Sequence, residues 1–326
     1  MPSRIVRLSR TPANAGVFLR TAKDTPMQVL SLFDGMSCGM LALDRAGISV
    51  RSYYAAEIDE AAIKVSACNY PDIIRVGDVT EVSYDNGVLR TDNGDFPVGQ
   101  IDLLIGGSPC QDFSAAGTLG GKPPQGLAGN KSRLFYEYLR IKKEVNPTFF
   151  LLENVLMTQA SKLMLDAYLG TSGVEINSAL LSYQNRRRMY WANFPFDLPN
   201  DAGISFQDYK ETDPEIYLRY KAEKTGSRIA MWNNGNGRAP HTRSCPNITH
   251  SDKVHCLTTK QDRSPNSGLI ECEDFFRYLT QSELEQAQTV PAGYTDCVSY
   301  AQACKVLGNG WTVSVIAHIL KHLPTT

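Results

Sequence analysis

The chain has no CxxC pair, no internal repeat, no low-complexity tract and no long apolar run, and its formal net charge is only −1. Each absence removes a class of protein. With neither a secretory h-region nor a long apolar span, no membrane partner or exported protein is expected. The eight cysteines (38, 68, 110, 245, 256, 272, 297 and 304) then read as free thiols in a reducing cytoplasm, or in a nucleus if the source is eukaryotic. A near-zero charge excludes a uniformly basic coat for polyanions, so any nucleic-acid surface must be a local patch. The GxGxxG fingerprint is missing, which argues against a pyrophosphate and so against a nicotinamide cofactor. All five histidines lie beyond residue 240, leaving no local base for a cysteine hydrolase. Cys245, His250, His255 and Cys256 are ligand types, but their spacing fits no usual zinc finger, and no metal is expected.

What is present suits one sizeable domain and a smaller one: 326 residues, with apolar and charged fractions of 42% and 21%. Residues 1–27 carry Arg4, Arg7, Arg10, Arg20 and Lys23 without a sustained period, and read as a basic arm, either merely solvated or in weak contact with a polyanion. From Gln28 the pattern changes. Buried-strand runs at 29–33, 52–56, 73–76, 101–105 and 148–152 alternate with helical spacing at 40–46, 60–69 and 132–144. That alternation predicts an α/β fold with a mostly parallel, Rossmann-like sheet. From Phe194 the regularity decays into turn signals and scattered aromatics. The expected organisation is therefore a main domain over 28–193 and 300–326, a small irregular domain over 194–276, and a hinge over 277–299. Helical runs at 300–307 and 313–323, interrupted by Gly308-Asn309-Gly310, return the chain to the main domain.

Ligands of such sheets sit beyond the carboxyl ends of the strands. The first such turn holds Phe33, Asp34, Gly35, Met36, Ser37 and Gly39; the next two strand ends carry Glu57-Ile58 and Asp78-Val79. Glu57 suits the vicinal hydroxyls of a ribose and Asp78 an adenine amino group, although each alone could be a helix cap. Taken as successive strand ends, they indicate a nucleoside. The fourth run ends in Gly106-Gly107-Ser108-Pro109-Cys110-Gln111, a stiff turn that presents one thiol. A packed core cysteine is the bland reading of Cys110. Its company in sequence order argues for a nucleophile: Glu153-Asn154-Val155, then Gln184, Arg186 and Arg188, then Gly308-Asn309.

As an ordered set, Phe33-Asp34-Gly35, Gly39, Glu57, Gly77-Asp78, Pro109-Cys110-Gln111, Glu153-Asn154-Val155, Gln184-x-Arg186-x-Arg188 and Gly308-Asn309-x-Trp311 resembles the DNA (cytosine-5)-methyltransferase family, over residues 28 to 323. The wording of residues 29–35, 106–110 and 309–313 looks closest to the de novo vertebrate branch and to phage-borne relatives. The resemblance implies a class I methyltransferase fold, S-adenosyl-L-methionine as cofactor and double-stranded DNA as partner, with the oligomeric state open. It implies a thiolate from Cys110 adding to carbon 6 of a flipped-out cytosine, so that carbon 5 can attack a methyl group. Glu153, kept protonated by burial, would serve N3 and the exocyclic amine, and Arg188, supported by Arg186, would serve O2. Phe33, Asp34, Gly35, Met36, Ser37, Gly39, Glu57, Ile58, Asp78, Val79, Gly107, Pro109, Asn309 and Trp311 would surround the cofactor.

DNA contacts are expected from Gln111, from Ser114, Lys122 and Arg133 in a Gly- and Pro-rich segment that could close over flipped DNA, and from Arg228, Arg238 and Arg243 in the recognition region, with His241 and Lys253 beside them. The hinge departs from the family's Arg-Leu-x-Gly-Phe-Pro style, having Gln286-Ala287-Gln288-Thr289-Val290-Pro291. Two rivals stand beside this reading. An RNA-methylating branch of the family usually carries Cys-Phe-Thr near its recognition region, which is not found here. A non-catalytic DNA-binding relative would lose the motifs that are intact here.

Overall fold

The computed structural model of the protein describes residues 26–108, 133–235, 245–263 and 266–324. β1 (Met27–Leu32) is buried at every residue, the mark of a central strand. A turn with Phe33, Gly35 and Ser37 all at positive φ leads into α1 (Cys38–Ala46), which Gly47 ends in the left-handed conformation. β2 (Val50–Ala56) leads to α2 (Glu60–Asn69), where Asp59 accepts from the Ala61 and Ala62 N–H groups. β3 (Ile74–Gly77) completes this half.

Next, β4 (Ser83–Asp85), β5 (Val88–Thr91) and β6 (Gly94–Pro97) form a separate antiparallel sheet that the sequence reading did not anticipate. The main sheet resumes with β7 (Leu103–Gly106), α3 (Arg133–Val145), β8 (Phe149–Val155), α4 (Gln159–Leu169) and β9 (Val174–Asn177). β10 (Gln184–Asn185) precedes β11 (Arg187–Ala192). Seven strands lie in the order β3-β2-β1-β7-β8-β11-β9, with β11 antiparallel to both its neighbours and the other pairs parallel. The chain walks outward from β1 to β3 and returns on the other side of β1. The switch point between β1 and β7 is where such sheets open a crevice.

Side chains alternate across the sheet as the two-residue period requires. Val29, Leu103, Ile105 and Leu151 face one core; Leu30, Leu32, Leu104, Phe150 and Leu152 face the other. Phe135, Tyr138 and Ile141 of α3 and Leu165 and Leu169 of α4 cover the second face. The first is covered by Ala42 and Leu43 of α1 and by the C-terminal helices.

Beyond β11 the elements are short: α5 (Pro214–Tyr217), β12 (Lys221–Ala222), α6 (Gly226–Gly235), β13 (Val254–His255), β14 (Ile270–Glu271), β15 (Phe276–Arg277) and α7 (Gln281–Ala287). Ala222, Trp232, Cys245, Leu269 and Phe276 form a small core of their own, with Trp232 stacked on Phe276 at 4.4 Å between centroids. Phe194, Phe206, Ile248, Val254 and Leu257 bury instead in the large core, so the segment is partly built into the main body.

α8 (Tyr300–Asn309) runs through Gly308, where an interruption was expected, and Gly310 follows as its C-cap. Glycine is needed at 308 because a Cβ there would stand 2.5 Å from the Thr258 carbonyl carbon. α9 (Val313–Leu320) ends three residues before its expected limit. The departing hinge sequence has a use: Gln288 O accepts from Val313 N–H, and Thr289 Oγ1 accepts from Ser314 N–H. Thr289, held at φ 56, thus caps a helix whose own N-cap residue, Thr312, makes no side-chain capping bond.

Candidate active site

A cavity of about 430 Å³ opens at the switch point, a size typical of small-ligand sites. One end is built by the first three strand ends: Phe33 and Gly35 after β1, Glu57 and Ile58 after β2, Asp78 and Val79 after β3. Glu57 is fixed by the backbone. Gly35 N–H donates to Oε2 at 2.8 Å, and the Ile58 and Asp59 N–H groups donate to Oε1 at 2.8 Å each. Asp78 caps a short 3₁₀ turn through Thr80 N–H and also lines the cavity, so the cap reading and the site reading both hold for its position. Ile58 offers an apolar flank, 69% exposed.

Asp34, Met36, Ser37 and Gly39, expected at the cofactor, do not line the cavity; they hold up the turn from below. Asp34 accepts from Ser37 Oγ at 2.5 Å and Tyr53 OH at 2.6 Å. Burial raises its carboxyl above the ordinary value against these two bonds, which lower it. The Met36 carbonyl accepts from Tyr294 OH at 2.7 Å.

The other end is formed by Gly107 and Ser108 after β7, Glu153 and Val155 on β8, Arg186, Arg188, Gly308 and Asn309. Trp311 lies behind this wall, donating from Nε1 to Glu153 Oε2 at 3.2 Å. Gly107 has no room for a side chain, since a Cβ would stand 2.7 Å from Trp311 Nε1 and 3.0 Å from Glu153 Oε2. Asn154, wholly buried, donates to Ser108 Oγ at 3.1 Å and ties the ends of β7 and β8 together.

Two contacts were not read from the sequence. Glu153, buried as expected, lies against a cation: Arg188 Nε is 3.1 Å from Oε1. Arg186, read as a helper of Arg188 at the base, is committed elsewhere. Its guanidinium donates to the carbonyls of Gly308 at 3.2 Å, Gly310 at 2.9 Å and Leu257 at 3.4 Å. It is a joint between the sheet, the segment after β13 and the C-terminal helices. Both arginines also approach Cys256, at 3.5 and 3.8 Å. Burial pushes that thiol up, but the two guanidiniums prevail and hold it below the usual thiol value. Cys38 is pushed up to about 12 by burial, which outweighs a Trp311 backbone hydrogen bond and the charges of Arg186 and Arg45. Sequence reasoning did not single out Cys256, Ser108 or Leu134 for the site; their only signal is adjacency to motifs.

Pro109, Cys110, Gln111, Ser114, Lys122, Arg238, His241 and Arg243 lie outside the described residues. Arg133 opens α3 and is exposed. Arg228 does not point freely outward, since its guanidinium is held by the Glu223 carbonyl and by Tyr278 OH at 3.0 Å. Lys253 donates to three carbonyls, of Ala179, Ser182 and Ile204, and is an internal tie. Cys245, His250, His255 and Cys256 do not converge as a ligand set; among the described residues the one such group is Asp197, His318 and His322. Nor, among those residues, is any helix long and apolar enough to cross a membrane.

Residues 27–167 match the family model described as C-5 cytosine-specific DNA methylase. The Type II methyltransferase M.NlaX of Neisseria lactamica is 26% identical over 91% of this chain and 96% of its own length. The orphan methyltransferase M.SPRI of Bacillus phage SPR is 31% identical over 57% of this chain and 42% of its own, a counterpart to the phage-borne likeness in motif wording. The S. pombe Dnmt2 methyltransferase structure superposes with a TM-score of 0.65 at 17% identity, over 90% of this chain and 97% of that one. A putative DNA modification methyltransferase from an E. coli prophage gives 0.59 at 19% identity, over 91% and 98%. The structural likenesses establish the Rossmann-like fold.

Proposed function

We propose, from the premise that the chain belongs to the C-5 cytosine-specific DNA methylase family, that it methylates carbon 5 of a flipped-out cytosine within a short sequence of duplex DNA. The observation that carries this reading is a single cavity with two chemically different ends. Glu57 and Asp78 stand at one end, and the Glu153–Arg188 pair stands at the other beside Gly107-Ser108, directly before Pro109-Cys110.

The first end suits S-adenosyl-L-methionine, the cofactor of the family. Carboxylates at successive strand ends accept from ribose hydroxyls and an adenine amine, and they repel the pyrophosphate of a dinucleotide. Phe33, Gly35, Glu57, Ile58, Asp78, Val79 and Asn309 would hold it. The bound cofactor supplies an electrophilic methyl group.

At the second end, the Cys110 thiolate would add to carbon 6 of cytosine and make carbon 5 nucleophilic; once carbon 5 carries the methyl group it would give up its proton to water and the thiolate would leave carbon 6. Negative charge then grows toward N3 and O2. Arg188 would exchange its carboxylate partner for O2, and Glu153, taking a proton once that cation has moved, would donate to N3. Arg186 positions Arg188 by fixing the segment on which both stand. Residues 194–276 would supply target recognition and 277–299 the hinge. A duplex base is out of reach of these groups unless it leaves the stack.

The test is incubation of the protein with unmethylated plasmid and tritiated S-adenosylmethionine, digestion to nucleosides, and bisulfite sequencing. Label in 5-methyldeoxycytidine at one recurring context supports the proposal. Label found only in RNA, offered as total RNA, overturns it.

A further inference from the structure

Outside the cavity, three metal-ligating side chains converge. His318 and His322 are one turn apart on α9 and just past its end, and Asp197 lies in the segment that follows β11. His318 Nε2 is 3.1 Å and His322 Nε2 2.9 Å from the same oxygen, Asp197 Oδ1, and His318 Nε2 is also 2.9 Å from the Asp197 backbone carbonyl. The ligand atoms of all three lie within 4.8 Å of one another. None of the three lines the cavity.

His322 is pre-oriented. His322 Nδ1 is 2.9 Å from the His318 carbonyl, which can only accept, so Nδ1 carries the hydrogen and Nε2 is turned toward Asp197. A neutral His322 therefore aims a lone pair at a carboxylate oxygen. That contact is repulsive unless a proton or a metal ion lies between them. Two ligands about 2.0–2.1 Å from a tetrahedral zinc stand about 3.3 Å apart, so the 3.1 and 2.9 Å observed, which are hydrogen-bond lengths, need open by only a few tenths of an ångström to admit an ion. Exposure also fits. The two histidine side chains are 22% and 32% exposed and that of Asp197 74%, so water can complete a coordination sphere.

We propose that Asp197, His318 and His322 bind a divalent transition cation of the zinc class through two imidazole nitrogens and one carboxylate oxygen. Imidazole donors argue against magnesium and calcium, which prefer all-oxygen sites. The bound ion staples the C-terminal helix to the strand-exit segment that leads into the 194–276 region. Its effect is on stability, since none of its ligands is among the described residues that line the cavity.

The test uses full-length protein stripped of metal and titrated with Co²⁺, whose spectrum separates nitrogen and oxygen ligation from thiolate ligation by the eight cysteines. Zn²⁺ is then used for thermal unfolding. Expected are one equivalent of Co²⁺ without a sulfur-to-metal band and, with Zn²⁺ at a hundred times Kd, a Tm rise of roughly 5 °C. Both effects should vanish in His322→Gln and in Asp197→Asn, each with an unchanged circular dichroism spectrum and an unchanged rate of DNA methylation. No binding by the natural chain would show that a proton alone bridges the cluster and would overturn the proposal. So would full binding in both variants, or loss of methylation in the folded variants.

Discussion

Arg188 and Glu153 meet as an ion pair at 3.1 Å across neighbouring antiparallel strands, two residues out of register, with Tyr190 opposite Glu153 and Arg188 opposite Val155. Arg186, two residues earlier, gives its guanidinium to the Gly308 and Gly310 carbonyls. One short motif therefore holds a wall of the cavity and a joint of the fold.

Substitution should separate these jobs. Arg186→Ala takes a charged donor from three carbonyls, leaving Gly308 without one and Gly310 with Gln288 Nε2 alone, and should destabilise the protein by about 3 kcal/mol or more. Arg188→Ala should leave Tm within a few degrees and lower kcat by about 10²–10³-fold, the usual cost of one donor aimed at developing charge. Thermal unfolding and single-turnover methylation of both variants check this. A destabilised Arg188→Ala with normal turnover would reverse the assignment.

Cys110→Ala should abolish methyl transfer while leaving duplex binding measurable by electrophoretic shift. Persistent turnover would remove Cys110 from the chemistry and move attention to another thiol.

Glu57→Gln keeps the length of the side chain but loses its charge. The Kd for S-adenosylmethionine should rise about 10–100-fold, as expected when a charged acceptor is replaced by a neutral one. The Kd for DNA should change less than twofold. Calorimetric titration with each ligand separately would show whether the order is reversed.

Asp34 supplies a pH dependence. Its carboxyl is raised from 3.8 by burial, so the folded state favours the protonated form. That stabilisation is complete below the unfolded value and is lost as pH rises through the folded one, above which a buried carboxylate burdens the fold. Relative to Asp34→Asn, the natural chain should lose Tm as pH rises from 4 toward 8. Parallel Tm-versus-pH curves would show that Asp34 does not titrate in this way.

The parallel sheet was legible because β1, β7 and β8 are nearly continuous apolar runs, and Glu57 and Asp78 could be placed because they directly follow the runs that became β2 and β3. Some elements were legible and went unread. Asn86-Gly87, at φ 50 and 81, is the two-residue turn joining β4 to β5. Thr158 and Gly170 cap the two ends of α4. The division of labour between Arg186 and Arg188 could not be read, because the carbonyls that claim Arg186 at Gly308 and Gly310 lie 122 and 124 residues away. The ion pair of Glu153 was hidden for a related reason: burial is written in its apolar neighbours, whereas its partner comes from another strand.

The bond from Tyr294 OH to the Met36 carbonyl joins residues 258 positions apart, and α9 packs on α1 across a similar span. At roughly 5–20 residues per second of synthesis, the apolar side of the first strand-helix unit waits about 13–50 s for the chain that covers it. During that interval the uncovered apolar surface is where the nascent chain is most open to aggregation.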